Sequence, residues 1–280
     1  MLMTAEKLQG VAHWLRRNAP CEDACFVMMN EDNTVCSAAV CDGASCCALG
    51  GPTANWLSQT VGTYMSHHFR RLYYEDDRTV RRELLGLIRN VQTAVGQMYR
   101  GSLNECGCTL VAAAMDSLNG HWMAVQLGDG VVIGRSRDGS LRQVTYSDKG
   151  QSAHATWLTI HSDRRIEEHL QIVRGDASGT DAIDAIFCTS DGLEGLFYAQ
   201  NGEVAQDVSV VLNLMANDPD AGKTVIRALD GSQFHPDDDV SFAAMVNDQP
   251  VSACYDRPHR IRRRLVRRVI EKSDRRVNIG

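Results

Sequence analysis

The sequence lacks the cysteine spacing and the hydrophobic segments that mark several common classes of protein. It has ten cysteines but no CxxC pair, and structural zinc sites need paired soft ligands at such a spacing. Its first residues, MLMTAEKLQG, have neither the basic nor the apolar part of a secretory signal, and no stretch approaches the length of a membrane span. We therefore expect a cytoplasmic protein whose cysteines are reduced and mostly serve as small buried side chains.

The chain also lacks a linker that would divide it. No low-complexity segment or internal repeat interrupts residues 10–250, so one globular domain is predicted over residues 1–250. The formal net charge of −6 argues against a general nucleic-acid-binding protein. Residues 251–280 differ in composition, because arginine dominates Arg257–Arg276 and leaves the rest of the chain more acidic than the total indicates.

The arginine-rich C-terminal tail, residues 251–280, has a helical pattern of its own. Apolar residues recur at helical spacing in it, at Ile261, Leu265, Val266 and Ile270, which predicts an amphipathic helix. Such a helix could dock on the acidic body of the protein, or it could recruit an acidic partner or a phosphoprotein. Nucleic acid or an anionic membrane would fit the charge, but no interleaved aromatic residues or lipidation signal support either partner. Docking or recruitment is therefore the prediction.

Two long helices are the clearest elements in the sequence. Apolar residues recur at helical spacing over residues 78–99, behind Asp77, which can cap the helix. A second pattern of the same kind begins near Pro52, a residue that is tolerated in a first turn. Two shorter helical stretches are predicted near residues 207–215 and 221–229.

Short β-rich runs lie before and after the long helices. Many are separated by hairpin-like turns such as Asn119-Gly120, which indicates antiparallel sheet. The runs cover residues 24–29, 35–40, 109–115, 122–127, 131–135, 186–189 and 240–246. This order of elements predicts an α+β fold, a four-layer α-β-β-α sandwich of two antiparallel sheets covered by helices on both outer faces.

Acidic residues stand at the ends of several predicted strands. Asp42, Asp129 and Asp191 each lie beside a glycine after an apolar run, and Asp237–Asp239 precede the last run. Any one Asp-Gly step could simply close a hairpin, because both residues are favoured in turns. The buried-strand sequences before Asp42 and Asp191 instead place these carboxylates at strand ends. Carboxylates brought together repel one another unless cations lie between them, so the pattern predicts a site for a hard metal ion.

Six short motifs follow one another along residues 10–247. They are Glu22-Asp23-Ala24, Asp42-Gly43, Gly107-Cys108-Thr109-Leu110-Val111, Val125-Gln126-Leu127-Gly128-Asp129, Ser190-Asp191-Gly192-Leu193 and Asp238-Asp239-Val240-Ser241. Their order resembles that of the metal-dependent type 2C serine/threonine protein phosphatases. The Gly-x-x-His and Pro-Cys-Glu-Asp-Ala sequences that begin at Gly10 and Pro20 resemble the opening of a bacterial branch of that family. The resemblance implies an α-β-β-α sandwich with the site at one end of its two sheets.

The resemblance also assigns metal ligands. Asp42 would bridge two divalent ions, Asp191 and Asp238 would hold the first ion, and Glu22 with the Gly43 carbonyl would hold the second. All of these are hard oxygen ligands, which suit Mn²⁺ or Mg²⁺.

Two further roles follow from the same resemblance. Asp129 would support a weaker third ion together with Asp191, and Asp23 would orient the attacking water. The implied reaction is hydrolysis of phosphoserine and phosphothreonine in proteins by water activated between two metal ions. Its partners would be a phosphoprotein substrate and the serine/threonine kinase that it reverses in bacterial signalling.

The residues expected to bind phosphate depart from the family pattern. The usual arginine lies four residues before the Glu22 position, where this chain has Asn18. Arg17 and His13 are candidates to replace it; alternatively, Arg17 and its neighbouring arginine are solvated surface charges. Glu194-Gly195 also stands where the family commonly has Trp-Asp. Since no departure removes a metal carboxylate, we expect activity to survive.

Other functions remain open at this point. A phosphatase-like fold could bind a partner without hydrolysis, which the displaced arginine favours and the intact Asp42, Asp191 and Asp238 oppose. Hydrolysis of a small phosphorylated metabolite is another alternative. A cysteine phosphoenzyme is not expected at Cys41 or Cys46, because neither begins a CxxxxxR phosphate-binding loop.

Overall fold

The structure is a computed structural model. It describes residues 1–11, 20–150, 156–176, 182–199, 201–215, 217–218, 220–230 and 236–247. The C-terminal tail lies outside the described residues, so its predicted helix and its separation from residues 1–250 stay predictions. Within the described ranges, none of the helices has the length and hydrophobicity needed to cross a membrane.

The described strands form two five-stranded sheets. The strands are β1 (Leu2–Leu8), β2 (Ala24–Met29), β3 (Val35–Cys41), β4 (Leu110–Asp116), β5 (Trp122–Leu127), β6 (Val131–Ser136), β7 (Leu141–Gln143), β8 (Gln171–Gly175), β9 (Ile183–Thr189) and β10 (Val240–Val246). Sheet A has the order β1-β10-β9-β6-β7, and sheet B has the order β2-β3-β4-β5-β8. Every pairing within the two sheets is antiparallel, as the hairpin-like turns predicted.

Five helices are described. They are α1 (Gly50–Tyr74), α2 (Asp77–Tyr99), α3 (Asp163–His169), α4 (Asp207–Met215) and α5 (Ala221–Asp230). The cap of α2 is Asp76, whose side chain accepts a hydrogen bond from the Thr79 N–H, so the prediction of Asp77 as the cap was wrong by one residue. Asp76 has an extended backbone (φ −69°, ψ 153°), which is the conformation that a capping residue requires. Of the two adjacent aspartates, Asp76 has this extended conformation and Asp77 is the first residue of the helix.

Three apolar layers hold the elements together. One lies between α1, α2 and sheet B, and another lies between α4, α5 and sheet A. The third lies between the sheets, where Ala38 and Ala113 of sheet B share a cluster with Ile186 and Met245 of sheet A. Because β3 is covered on both faces, all seven of its residues are buried. The four-layer sandwich predicted from periodicity is confirmed.

Four elements were not predicted: β1, β7, β8 and α3. The first of these pairs with β10 along its whole length, from Leu2 opposite Val246 to Leu8 opposite Val240. It is an edge strand, and Glu6 and Lys7 interrupt its apolar pattern. The other three are only three to seven residues long, so they carry too few periods for a pattern to be recognised.

The antiparallel register gathers several strand ends at one end of the sandwich. The last residue of β3, Cys41, pairs with Ala24 at the start of β2. At the end of β9, Thr189 pairs with Val131 at the start of β6. The residues that follow β3, β5 and β9 therefore lie at the same end as those that precede β2 and β10, and this end carries the acidic motifs.

Candidate metal centre

Three carboxylates meet at this end of the sandwich. Within the described part of the chain, Asp42, Asp129 and Asp191 each offer an oxygen, and the three oxygens lie within 4.8 Å of one another. Asp42 follows β3, Asp129 lies between β5 and β6, and Asp191 follows β9. The cluster thus combines side chains from both sheets. Its members are distant in the sequence, since 87 positions separate Asp42 from Asp129.

Asp42 is surrounded by like charges. Its backbone is fixed by Thr109: the Asp42 N–H donates to Thr109 Oγ1 at 2.9 Å, and the Thr109 N–H donates to the Asp42 carbonyl at 2.8 Å. Burial, and then the charges of Asp23, Asp191 and Asp129, raise the pKa of the Asp42 carboxyl well above its usual range. A carboxyl in these surroundings holds a proton or needs a cation beside it.

The other two members of the cluster are perturbed in the same direction. Burial raises the pKa of Asp191 to about 8, and the charges of Asp129, Asp238 and Asp23 contribute to the increase. Burial also raises the pKa of the Asp129 carboxyl. These shifts belong to the protein without a bound cation, and a divalent ion would favour the ionised carboxylates.

Asp23 lies beside the cluster in a network of serine hydroxyls. It is 2% exposed, and Ser241 Oγ donates to its Oδ2 at 2.7 Å. Burial raises the pKa of Asp23 to about 6, although hydrogen bonds from Ser241 and Ser190 oppose the increase. The carboxyl is therefore mostly ionised near neutral pH and has a pKa suited to exchanging a proton with water.

Glu22 and Gly43 lie against each other and against the start of α1. A side chain on Gly43 would have its Cβ 2.6 Å from the Gly50 carbonyl carbon and 2.7 Å from the Glu22 carbonyl oxygen, so only glycine fits there. Gly51 also lies beside Glu22, whose Cγ is 3.6 Å from the Cβ position of Gly51. The two predicted ligands of one ion are therefore neighbours.

Asp238 and Asp239 differ in their surroundings. Asp238 is exposed, and its charge contributes to the raised pKa of Asp191. Asp239 is 2% exposed, and its carboxylate accepts the N–H groups of Gly10 at 2.7 Å and Glu22 at 2.6 Å. The buried residue of this pair thus positions the backbone of Glu22, whereas the exposed one affects Asp191 through its charge.

The donor chemistry fits hard divalent ions. Carboxylate oxygens converge, no softer ligand belongs to the described set, and their mutual repulsion disfavours the metal-free state. The mutually close set contains Asp42 and Asp191, which the resemblance assigns to one ion, together with Asp129, which it pairs with Asp191 for a third ion.

The sequence profile of protein phosphatase 2C matches residues 9–229 of the chain. This span is most of the 280 residues. The chain belongs to the protein phosphatase 2C family. The suspected resemblance is confirmed, and the family supports a protein phosphatase function. No curated protein sequence matches the chain.

Solved structures of the phosphatase 2C fold superpose on this chain. Serine/threonine phosphatase Stp1 from Staphylococcus aureus matches with a TM-score of 0.59 and 16% identity, over 88% of this chain and 95% of its own. A bacterial serine phosphatase matches with a TM-score of 0.55 and 14% identity, over 89% of this chain and 99% of its own. A sex-determining protein of C. elegans matches with a TM-score of 0.52 and 16% identity, over 94% of this chain and 67% of its own. At these identities the likeness shows the fold.

The predicted phosphate-binding residues of this phosphatase 2C chain are not described. His13 and Arg17 lie in residues 12–19, outside the described ranges, so their roles stay predictions. Among the described residues on either side, the N–H groups of Gly10 and Glu22 both donate to Asp239.

Two candidate functional residues, Ser241 and Lys149, were not identified from the sequence. Ser241 was part of a quoted motif, but nothing local indicated that it would bind Asp23 at 2.7 Å. Lys149 lies near the cluster, where its Nζ is 2.6 Å from Glu194 Oε2. No local signal identifies this lysine, since it is 45 residues from its partner in sequence.

Cys41, the cysteine next to Asp42, is not a nucleophile in this structure. All nine described cysteines are free, and burial raises the pKa of Cys41 well above its usual range, so its thiol stays protonated. One cysteine does have the CxxxxxR spacing, Cys254 with Arg260, and it lies in the tail outside the described residues.

Proposed function

We propose that this chain is an Mn²⁺- or Mg²⁺-dependent phosphatase that hydrolyses phosphoserine and phosphothreonine in proteins. The observation that carries the proposal is the convergence of Asp42, Asp129 and Asp191 within 4.8 Å, in a chain of the protein phosphatase 2C family. Bound divalent ions would supply activation of water and neutralisation of charge on the phosphoryl oxygens.

The ligands in this proposal are divided between two positions. Asp42, whose pKa is raised by burial and by the charges of both Asp23 and Asp191, would be shared between the two positions. Asp191 and Asp238 belong to one position, and Glu22 with the Gly43 carbonyl belongs to the other. The adjacency of Glu22 and Gly43 supports the second position, and the effect of Asp238 on the pKa of Asp191 supports the first.

Asp23 acts on the attacking water in this proposal. Its pKa of about 6 leaves it ionised near neutral pH, so it can accept a hydrogen bond from water and orient it toward phosphorus. The hydrogen bond from Ser241 at 2.7 Å holds the carboxylate in place for this role.

We further propose that the substrate is a phosphoprotein and that the reaction reverses a serine/threonine kinase in bacterial signalling, in the cytoplasm. The matched Stp1 is itself a serine/threonine phosphatase, which supports this class of substrate by analogy. The tail, with its arginines, is the segment we expect to dock on the acidic body or to recruit an acidic partner.

The test is hydrolysis of p-nitrophenyl phosphate and then of a phosphothreonine peptide, each with Mn²⁺ and with a chelator. We expect turnover of both with Mn²⁺ and none with the chelator. Absence of turnover in saturating Mn²⁺ would indicate a binding module that does not hydrolyse. Preference for a small phosphorylated metabolite over the phosphopeptide would instead assign the enzyme to metabolism.

A further inference from the structure

Two adjacent cysteines lie in the loop between Gly43 and the start of α1, and they differ in exposure. Cys46 is exposed, whereas Cys47 is only 4% exposed. Their sulfur atoms are 3.9 Å apart. Adjacent side chains point to opposite faces in a strand, whereas this turn directs both thiols to one side. Solutes can therefore reach one thiol, and the second thiol lies next to it.

The Cys47 thiol is held in a fixed position. Its sulfur donates to the Asn104 carbonyl oxygen at 3.7 Å, and it lies 2.6 Å from the point that a Cβ on Gly107 would occupy. Burial raises the pKa of Cys47 to about 11, so its thiol is protonated near neutral pH. Cys47 is thus protected from direct attack by an oxidant, but it is placed to react with an oxidised Cys46.

The same loop carries the Gly43 carbonyl, a proposed metal ligand. The Cys47 N–H donates at 2.8 Å to the carbonyl of Ala44, the residue after Gly43. The Cys47 carbonyl accepts the N–H of Gly50, the first residue of α1, at 2.9 Å. Gly50 in turn packs on Gly43, since a Cβ on Gly50 would lie 3.0 Å from the Gly43 carbonyl carbon. A rotation of the Cys46–Cys47 peptide would therefore be transmitted to Gly43 from both sides.

A disulfide between these neighbours requires such a rotation. Two Cα atoms across a trans peptide are about 3.8 Å apart, whereas ordinary disulfides join Cα atoms about 4.4–6.8 Å apart. The sulfur atoms of Cys46 and Cys47 must also approach from 3.9 Å to about 2.05 Å. The bond would thus be strained, would turn the peptide away from Ala44, and would be readily reduced by thiols.

We propose that Cys46 and Cys47 are a reversible oxidation site, at which a peroxide converts the two thiols into a disulfide that displaces the Gly43 carbonyl. The Cys46 thiolate attacks one oxygen of hydrogen peroxide and breaks the O–O bond, which leaves a sulfenic acid and a hydroxide that takes up the thiol proton as water. The Cys47 sulfur then forms the S–S bond, and its proton leaves with the displaced hydroxide as a second water. The two sulfur atoms lose two electrons, and one peroxide becomes two waters.

The experiment is differential thiol labelling of the full chain after treatment with millimolar hydrogen peroxide. Free thiols are blocked with light N-ethylmaleimide, disulfides are reduced and labelled with the heavy reagent, and tandem mass spectrometry locates the heavy label. We expect equal heavy label on Cys46 and Cys47, and Cys46→Ser should remove it from Cys47. Cys25→Ser, which changes a half-buried cysteine of β2, is the matched control and should leave the labelling of the pair unchanged.

Turnover of p-nitrophenyl phosphate tests the consequence for Gly43, which rests on the proposed function. Peroxide is removed before Mn²⁺ is added. The oxidised wild type should lose activity in proportion to its heavy-labelled fraction and regain it with dithiothreitol. Cys46→Ser and Cys46→Ala should keep full activity through the same treatment, because Cys46 is exposed in a turn and its replacement leaves the loop intact.

Three results would overturn the inference. They are heavy label on neither or only one of the two cysteines, full disulfide formation with unchanged turnover, and an equal loss of turnover in Cys46→Ser. Each can occur in a chain that hydrolyses phosphopeptides, so the proposed function would stand. If the untreated wild type does not turn over substrate, the proposed function fails, while the labelling still decides whether Cys46 and Cys47 form a disulfide.

Discussion

The two ends of β9 each hold a carboxylate, buried at Asp184 and half-buried at Asp191, and the charges around the two differ. Near the start of the strand, Asp184 binds Arg135 of β6 through two hydrogen bonds, at 2.8 Å and 3.1 Å. Just past the end of the strand, Asp191 lies among other acids, and its pKa is raised to about 8. Asp184, near the start of β9, is thus paired with the guanidinium of Arg135, whereas Asp191, past its end, is surrounded by charges of its own sign.

The two kinds of carboxylate affect the stability of the fold in different ways. A buried acid that is paired with a buried arginine stabilises the fold only if both partners remain. A cluster of acids with too few cations lowers stability until a metal ion binds, so it is retained for what the ion does. Lys149 lies between these cases, because it supplies one cation to a cluster that needs more.

The largest effect is expected at the acidic end. Asp42→Asn should reduce turnover by roughly 10³-fold or more, because it removes the proposed bridging ligand. The fold should remain, and the metal-free variant should be at least as stable as the wild type, since an amide stays neutral in these surroundings without having to bind a proton. Assays with p-nitrophenyl phosphate in Mn²⁺ and thermal unfolding in chelator measure both. Wild-type activity in this variant would contradict the assignment of Asp42.

The opposite result is expected at the paired end. Asp184→Asn should cost about 3–5 kcal/mol of unfolding free energy, because it leaves the Arg135 guanidinium buried without its counter-charge. Turnover per folded molecule should stay at the wild-type value. Urea unfolding followed by circular dichroism gives the free energy. A loss of turnover with unchanged stability would show that Asp184 serves the reaction and not the fold.

The pH dependence of stability should also distinguish the two ends. Asp191 has a folded-state pKa of about 8, above the usual 3.8, so between these values the folded protein binds a proton that the unfolded chain has released. The metal-free protein should therefore lose stability as pH rises from about 4 to 8, by several kcal/mol, since each unit of pKa shift corresponds to about 1.4 kcal/mol.

Urea titrations of the metal-free protein at several pH values test this sign. Added Mn²⁺ should flatten the dependence, and Asp42→Asn should weaken it. If stability instead rose with pH over this range without metal, the carboxylates would not be held as close as 4.8 Å.

The smallest effect is expected at Ser241. Ser241→Ala removes the 2.7 Å hydrogen bond to Asp23, which opposes the raised pKa of that carboxyl. The acidic limb of the pH–rate profile should move to higher pH, and kcat should fall about tenfold, as expected for one hydrogen bond to a charged group. Ser190→Ala offers a related comparison, since the Ser190 hydroxyl lies 3.3 Å from that of Ser241. An unchanged profile in Ser241→Ala would remove Asp23 from the reaction.

Much of the fold could be predicted because its signals are local. The helices near residues 52 and 78 and the central strands carry many periods of apolar residues, so their type and approximate bounds follow from the sequence. The edge strand β1 and the short β7, β8 and α3 could not be predicted, because each depends on a partner that the sequence does not reveal.

The acidic motifs of the site could also be recognised in sequence, since Asp-Gly steps after apolar strands place carboxylates at strand ends. The residues that contact these acidic motifs in the folded protein could not be recognised in this way. Asp239 stood in sequence only as part of an acidic motif before the last strand, yet it binds the Glu22 N–H at 2.6 Å across 217 residues. Lys149 carried no signal, because its partner Glu194 comes from a separate turn.

By itself, the sequence determined which acidic side chains stand at strand ends and which segments form the longer helices and strands, because residue type and periodicity are properties of the chain. Only the tertiary structure decided which of those side chains share a charge environment. Burial and distance set the pKa values of Asp42, Asp191 and Asp23, and both arise when two sheets pack with their strand ends aligned.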